Sequence, residues 1–428
     1  MSELDIPGVV SSIVLYSANY APELTGIGRY AGELAHALAD QGIRCTVVTS
    51  PPHYPEWRTA YPHANAYRRT RGPIIDVIRC PIFLPRRVRG ITRILVPLSF
   101  AITSAPVIVW AILRRRPDIV LCVEPTLFAA PAALVASRIA GSRTVLHVQD
   151  LEIDAALEVG HLKRHGLVER VAHAFDRAVL RAFGAVVTIS AAMQRRIVDK
   201  GVHADRVQVI RNWVDTKVIH PTGDPSYRRR LGIADDAFLV LYAGSVGAKQ
   251  GIDLLCEAMD IVGPTRGIML AVVGEGPAKA ALLDRFGDRP QISFHGLQPE
   301  PALNALLNAA DLHVIPQLKG VTDFALPSKL AGILASGRPL LVLGHPDQEL
   351  ATFVRNAAHV VEPDDAGTVA SMLLRLATQR ISAGADRRVA LASELSKAKA
   401  VARFRALFER MVQADGDKGR PDSSGEPE

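Results

Sequence analysis

Cysteine is scarce and scattered in this chain. Four of them, Cys45, Cys80, Cys122 and Cys256, stand among 428 residues with no CxxC pair. That spacing argues against a disulfide framework or a thiolate metal site and for free thiols in a reducing compartment. Aromatic residues amount to 5% of the chain, and few interleave with its basic stretch. Nucleic acid is therefore a poor partner, because single-strand platforms need stacking rings between the cations. The opening MSELDIPGVV has neither a basic start nor an apolar core. No signal peptide is expected, and a cytoplasmic chain is.

Acids are missing from one region in particular. Between Arg68 and Arg116 eleven arginines face a single acid, Asp76, so that stretch carries +10 and the remainder of this +7 chain sums to −3. Inside it, Ile94 to Leu113 runs for twenty residues without a charge. Length alone allows a membrane span. Pro97, Pro106, Ser99, Thr103 and Ser104 weaken that reading. A domain helix, an interfacial helix on an anionic leaflet and a span all stay open at this point, and residues 86–116 are the expected peripheral membrane contact.

Elsewhere, apolar strand-like runs alternate with helical ones. SSIVLYS, IRCTVVTS, IDVIRCP, DIVLCVE, RTVLHVQD and GAVVTIS form one series; FLVLYAG, GIMLAVVGEG, QISFHG, DLHVIP and PLLVLG form a second. Near-continuous aliphatic strands separated by helices predict parallel sheets covered on both faces, hence an α/β chain with two doubly wound Rossmann-like domains. Turn-rich NWVDTKVIHPTGDPSYRR separates the series. The expected division is 1–217, 218–394, a helix over 395–412 returning to the first domain, and a disordered tail over 413–428. Ligands of open α/β sheets bind outside the carboxyl ends of the strands, so a cleft between two facing domains is expected and strand-end residues are the candidates.

After the first strand, Gly26-Ile27-Gly28-Arg29-Tyr30-Ala31 matches G-x-G-x-x-[GA]. A dinucleotide site needs its first glycine directly after the strand and an acid ending the second strand. Here about eight residues intervene, and the second strand ends Thr49-Ser50-Pro51-Pro52. Both requirements fail. What remains is a glycine loop opening a helix, suited to an anion or to a tight structural turn. Glu23 and Thr25 precede it as candidate sugar or acceptor contacts. The fifth strand ends HVQDLEIDA, which puts His147 and Gln149 on one face and Asp150 at the exit. In the second series, YAGSVGAKQGIDLL repeats the strand, glycine loop and helix order with Lys249 near the helix start. It does not fit the P-loop pattern G-x-x-x-x-G-K-[ST]. A lysine beside N–H donors there can stabilise a diphosphate leaving group. Asp323, Ser328 and Lys329 stand just before or at a later helix start.

Taken together, PELTGIGRYAGELAHAL, TISAAMQRRI, VIRNWVD, LYAGSVGAKQG, VVGEGP, FHG, AADLHVIP and LPSKLAGILASGRPLLV resemble, in order, the retaining glycosyltransferases of family 4 with the GT-B fold. NYAPELTGIGRYAGE, TSPPHYPEW, PTLFAAPAAL and VLHVQDLEIDA resemble the exopolysaccharide branch, which includes colanic-acid fucosyltransferases. The resemblance implies a nucleotide-sugar donor bound mainly by the second domain, an acceptor bound mainly by the first, and no catalytic metal or other cofactor. The D-x-D of Asp415 and Asp417 lies in the tail. Carried over, Gly26 and Gly28 approach the donor phosphate and Lys249 neutralises it. Gly274, Glu275 and Gly276 lie near the nucleoside, and Pro327, Ser328 and Lys329 lie against the donor. Asp150, His147 and Lys249 are the catalytic candidates, with Gln149 on the acceptor. Phe324 and Gly332 replace a common glutamate pair, Ser245 and Gln250 replace common basic residues, and Gln149 stands where a histidine is usual. The implied acceptor is a lipid-linked oligosaccharide at the inner face of the cell membrane. A nucleotide-sugar 2-epimerase of the same architecture and a degenerate partner subunit are the competing readings.

Overall fold

The computed structural model of the chain describes residues 9–23, 26–53, 58–59, 64–85, 92–124, 127–151, 166–224, 226–247, 250–317, 326–362, 365–379 and 383–416. It forms two compact units, Met1–Arg211 with Ala400–Glu428, and Asn212–Lys399. These divisions differ slightly from 217/218 and 394/395, for a backbone reason. The Val214 N–H donates to Leu395 O and the Lys397 N–H to Val214 O, both at 2.9 Å. The linker therefore pairs with the segment ahead of the last helix, inside the second unit.

The first unit holds an eight-stranded sheet. Its strands are β1 (Ser12–Tyr16), β2 (Arg44–Thr49), β3 (Arg68–Arg71), β4 (Ile75–Arg79), β5 (Ile119–Glu124), β6 (Arg143–Val148), β7 (Ala185–Thr188) and β8 (Val207–Val209). They lie in the order β3-β4-β2-β1-β5-β6-β7-β8, parallel except for β3. The second unit holds β9 (Phe238–Ala243), β10 (Ile268–Val273), β11 (Ile292–His295), β12 (Leu312–Pro316), β13 (Leu340–Leu343) and β14 (His359–Val361). Their order is β11-β10-β9-β12-β13-β14, parallel throughout. Each sheet is thus doubly wound, and strand order reverses at β1/β5 in one and β9/β12 in the other. Such a reversal opens a crevice at the carboxyl ends of the strands.

Central strands such as β5, Ile-Val-Leu-Cys-Val-Glu, are buried along their whole length. Three strands carry no such signal: β3, β8 and β14. All three are edge strands of three or four residues. The sequence of β3, Arg-Arg-Thr-Arg, is fully exposed, and its charges block the edge against further pairing. All four cysteines are buried and free, with their thiols pushed up to about 12 by desolvation.

The uncharged run forms the helix Thr92–Arg115. One stripe of it, Val96, Phe100, Ser104, Ile108, Ala111 and Ile112, is buried in the first unit. Its polar residues fasten it there. Ser99 Oγ accepts from the Phe83 N–H (2.8 Å), Thr103 Oγ1 donates to Pro81 O (2.6 Å), and the Ser104 and Tyr16 hydroxyls pair at 2.5 Å. These bonds fasten the buried stripe of the helix to the first unit. The last helix, Lys397–Gly416, runs past the expected end at 412; residues 417–428 lie outside the described residues.

Candidate active site

In the first unit, the candidate loop lies between β1 and the helix Gly26–Ala39. Glu23 is buried behind it. One carboxylate oxygen accepts from the His53 N–H and the other from the Asn19 amide, both at 3.0 Å. Arg79 donates to Ala21 O (2.6 Å) and Ser50 O (2.8 Å), closing the same loop from the end of β4. A Cβ on Gly28 would lie 2.8 Å from the Glu23 Cβ and closer still to its carboxylate, so any side chain here requires Glu23 to move. Glu23 therefore ties the glycine loop to Asn19 and to the segment at His53. Gly26 opens the helix at φ 64°. Thr25 lies outside the described residues.

At the end of β6 the three candidates separate. Asp150 is exposed at the strand exit, whereas Gln149 and His147 are buried. The Gln149 amide donates to His147 Nε2 (3.0 Å), and the Phe404 ring packs edge-on to the imidazole with centroids 5.1 Å apart. Desolvation pushes the His147 pKa down to about 3. His147 is thus a buried, neutral histidine with Phe404 of the last helix packed against its ring. Glu124, buried where β5 ends beside the β1/β5 reversal, is a carboxylate that sequence reasoning passed over. The signal was available, because an acid closes an otherwise apolar strand, as Asp150 does one strand further along.

In the second unit, loops from β9, β10 and β11 meet at their carboxyl ends. The Gly244 N–H donates to Val273 O, the Val246 N–H to Glu275 O and the Gly274 N–H to His295 O, at 2.9 to 3.1 Å. Gly274 sits at φ 149°, and a Cβ there would collide with the Gly244 carbonyl. Lys279 donates to Gly274 O (3.0 Å), His295 O (2.9 Å) and Glu275 Oε1 (2.8 Å), capping these strand ends. Its positive charge, with burial as the larger cause, holds the His295 pKa below the ordinary range.

Across the β9/β12 reversal, the helix Lys329–Ala335 begins. The Lys329 ammonium lies 3.9 Å from the centroid of the Tyr242 ring. Its Cε and Nζ are so close to Gly244 that a Cβ on that glycine would stand 2.8 Å away. The Tyr242 hydroxyl donates to Ser245 O (2.6 Å), tying ring and loop together. Desolvation pushes the Lys329 pKa down to about 7. The structure therefore brings Ser245, Gly274, Glu275 and Lys329 to one strand-end cluster. Gln250 joins it through its N–H to Gly247 O (3.1 Å). Pro327 and Ser328 directly precede Lys329, with Ser328 exposed. Gly332 faces Leu307, 3.3 Å from where its Cβ would be. Lys249 and Asp323 lie outside the described residues. A lysine at a strand-order reversal is chemically suited to a diphosphate.

Comparison with known proteins agrees with this geometry. Residues 25–213 match the glycosyl transferase 4-like domain, and residues 237–379 match glycosyl transferases group 1. The chain is 37% identical over 363 residues to the colanic acid biosynthesis glycosyl transferase WcaI of Escherichia coli, covering 82% of this chain and 88% of that relative. Among solved structures it is similar to a sucrose-phosphate synthase of Thermosynechococcus elongatus, with TM-score 0.73, 14% identity and coverage of 94% and 100%. HepE of Anabaena, solved with UDP and glucose, gives TM-score 0.62, 15% identity and coverage of 95% and 100%.

Proposed function

We propose, from the premise that this chain belongs to the family 4 glycosyltransferases of the GT-B fold, that it transfers a hexose-type sugar from a nucleotide diphosphate to a lipid-linked oligosaccharide. The process is exopolysaccharide assembly of the colanic acid kind, at the inner face of the cell membrane. The observation that supports this reading most is the Lys329 ammonium, held over the Tyr242 ring beside Gly244 at the β9/β12 reversal.

The chemistry follows from charge. Breaking the bond between the sugar and the diphosphate puts negative charge on the departing oxygen and positive charge on the anomeric carbon. A lysine beside that oxygen stabilises the negative charge that develops on it, so it favours the transition state over the ground state. In the retaining course, the acceptor hydroxyl attacks from the face the diphosphate leaves. Its proton passes to the diphosphate oxygen, and the new glycosidic bond keeps the anomeric configuration. The protein then needs no general base of its own, and lysines supply the positive charge in place of a metal. In this reading Asp150 and Glu124 bind sugar hydroxyls in the first unit, and Ser245 and Glu275 bind the donor in the second.

Thermal shift with UDP, GDP and dTDP identifies the base, and the matching nucleotide sugars are then assayed with membrane extracts. Transfer with the anomeric configuration kept is the expected result. Failure of every donor in a broad panel, in both transfer and hydrolysis, would overturn the reading. A free epimer released without acceptor would replace it by the epimerase.

A further inference from the structure

Two buried cations of this chain rest against carboxylates, Lys200 on Asp176 at 2.6 Å and Arg228 on Asp311 at 2.7 Å. Arg79, which ends β4 in the first unit, is buried differently. Among the described residues its guanidinium donates to Ser50 O (2.8 Å) and Ala21 O (2.6 Å) and forms no ion pair. Glu23 acts on it from beyond ion-pair distance, with its two carboxylate oxygens accepting from His53 and Asn19. The acid of β4, Asp76, stands on the opposite face of that strand and is taken by Arg69 and Arg115. A guanidinium has about five N–H donors, and a buried charge held by two neutral carbonyls is far from compensated.

The surroundings deepen that deficit. The register of the antiparallel β3/β4 pair sets Arg68 directly opposite Arg79, and like charges so placed repel. Tyr20, next to Ala21, buries a hydroxyl that has no hydrogen-bond partner among the described residues, and the Arg79 charge acts on it. Ala21 belongs to the loop after β1 and Ser50 directly follows β2, so three strand ends meet at this guanidinium. Ligands of open α/β sheets bind outside such carboxyl ends. An oxyanion brings what is lacking here, a negative charge and several acceptor lone pairs, and a guanidinium fork matches its geometry.

We propose that Arg79, with Arg68 beside it, is an oxyanion subsite that takes a phosphate or a carboxylate carried by the sugar acceptor. That the ligand is the acceptor rests on the reading of the first unit given above; the subsite itself does not. Strands β2 and β1 lie between β4 and β5, so Arg79 is about 14 Å across the sheet from Glu124 at the usual strand spacing. Sugar hydroxyls at Glu124 and Asp150 and an anion at Arg79 then belong to different parts of one acceptor. The anion sets the position of the acceptor along the sheet, while its reacting end is held elsewhere.

Ligand-observed NMR on the full chain tests this with three soluble probes: methyl glucoside, glucose 6-phosphate and glucuronic acid. At least one anionic sugar should bind about tenfold more tightly than the neutral one. Preference for glucose 6-phosphate would assign the anion to a phosphate on the acceptor, and preference for glucuronic acid to an acidic sugar within it. Arg79→Gln should lose about tenfold on the anionic probe and nothing on the neutral one, and Arg79→Lys should recover part of that loss. Because Arg79→Gln also frees the carbonyls of Ala21 and Ser50, a second variant guards the test. Arg68→Glu, on an exposed edge strand, leaves those bonds alone and should also lose about tenfold. Lys329→Met should change nothing here, which separates this anion from the diphosphate. Equal binding of all three probes by the wild type overturns the proposal. So does an anion preference that survives both Arg79→Gln and Arg68→Glu, or one that disappears in Lys329→Met. Failure of every donor to transfer, with the anion preference kept, would overturn the acceptor reading and leave the subsite standing.

Discussion

In the first unit the loop after the opening strand is held by a carboxylate; in the second, the equivalent strand ends are held by ammonium groups. Glu23 gathers the amides of Asn19 and His53 beneath Gly28, and Glu124 and Asp150 stand at neighbouring strand ends. Lys279 gathers the carbonyls of Gly274 and His295, and Lys329 lies beside Gly244. Two sheets of the same winding thus carry opposite charge at equivalent places. In the function proposed above, hydroxyl-rich sugars suit the acidic ends and a diphosphate suits the basic ones.

The glycines offer the strongest way to break this comparison. A Cβ on Gly274 meets a backbone carbonyl, at a φ that L-residues avoid, and neither can yield without moving a strand end. Gly274→Ala should cost about 2–5 kcal/mol and abolish nucleoside diphosphate binding. A Cβ on Gly28 meets a side chain, which can shift, so Gly28→Ala should cost about 1–2 kcal/mol. Thermal unfolding of the two variants decides it; equal losses would mean that the loops are not built differently.

Lys329→Met is the next test, and its two effects have opposite signs. The folded-state pKa of Lys329, about 7, lies below its ordinary 10.5. The unfolded chain therefore binds more protons between those values, and wild-type stability rises with pH across that window. Removing the amine should raise the melting temperature, most at pH 7 and below, with the gain fading toward pH 10.5. Each kcal/mol recovered corresponds to roughly 2–4 °C. Diphosphate affinity should fall at least tenfold. In the wild type that affinity should decline as pH rises through about 7; in the variant it should be flat. A variant that keeps both its affinity and its pH dependence would remove Lys329 from the donor site.

Much of this architecture was legible because buried parallel strands are written as aliphatic runs. The edge strands were not, since Arg-Arg-Thr-Arg, Val-Gln-Val and His-Val-Val bury too little to leave a pattern. Strand-end position likewise picked out Asp150, Gln149, Gly274 and Ser328. It could not say what covers them. Alternation assigns His147 and Gln149 to one face, but the residue packed against the His147 ring, Phe404, arrives from the far end of the chain. The environment of Lys329 was hidden for the same reason, because Tyr242 belongs to a distant strand. Proximity to the loop also suggested an acceptor contact for Glu23, while its hydrogen bonds tie it to Asn19 and His53.

The smallest expected effect separates those two roles of Glu23. If the carboxylate orders the loop, Glu23→Ala should cost about 1–3 kcal/mol, because the His53 N–H and the Asn19 amide lose a buried acceptor. Glu23→Gln should cost less, since Asn19 can rotate its amide to face the new one. If instead the carboxylate contacts the acceptor, Glu23→Gln should leave stability unchanged and impair transfer. The double variant sharpens the distinction. The Cβ of Gly28→Ala meets both the carboxylate and the Cβ of Glu23, so Glu23→Ala should relieve the carboxylate part of that clash and the double variant should lose less than the sum of the two single losses. Additive losses would mean that Gly28 and Glu23 act independently, and the carboxylate would then have no part in shaping the glycine loop.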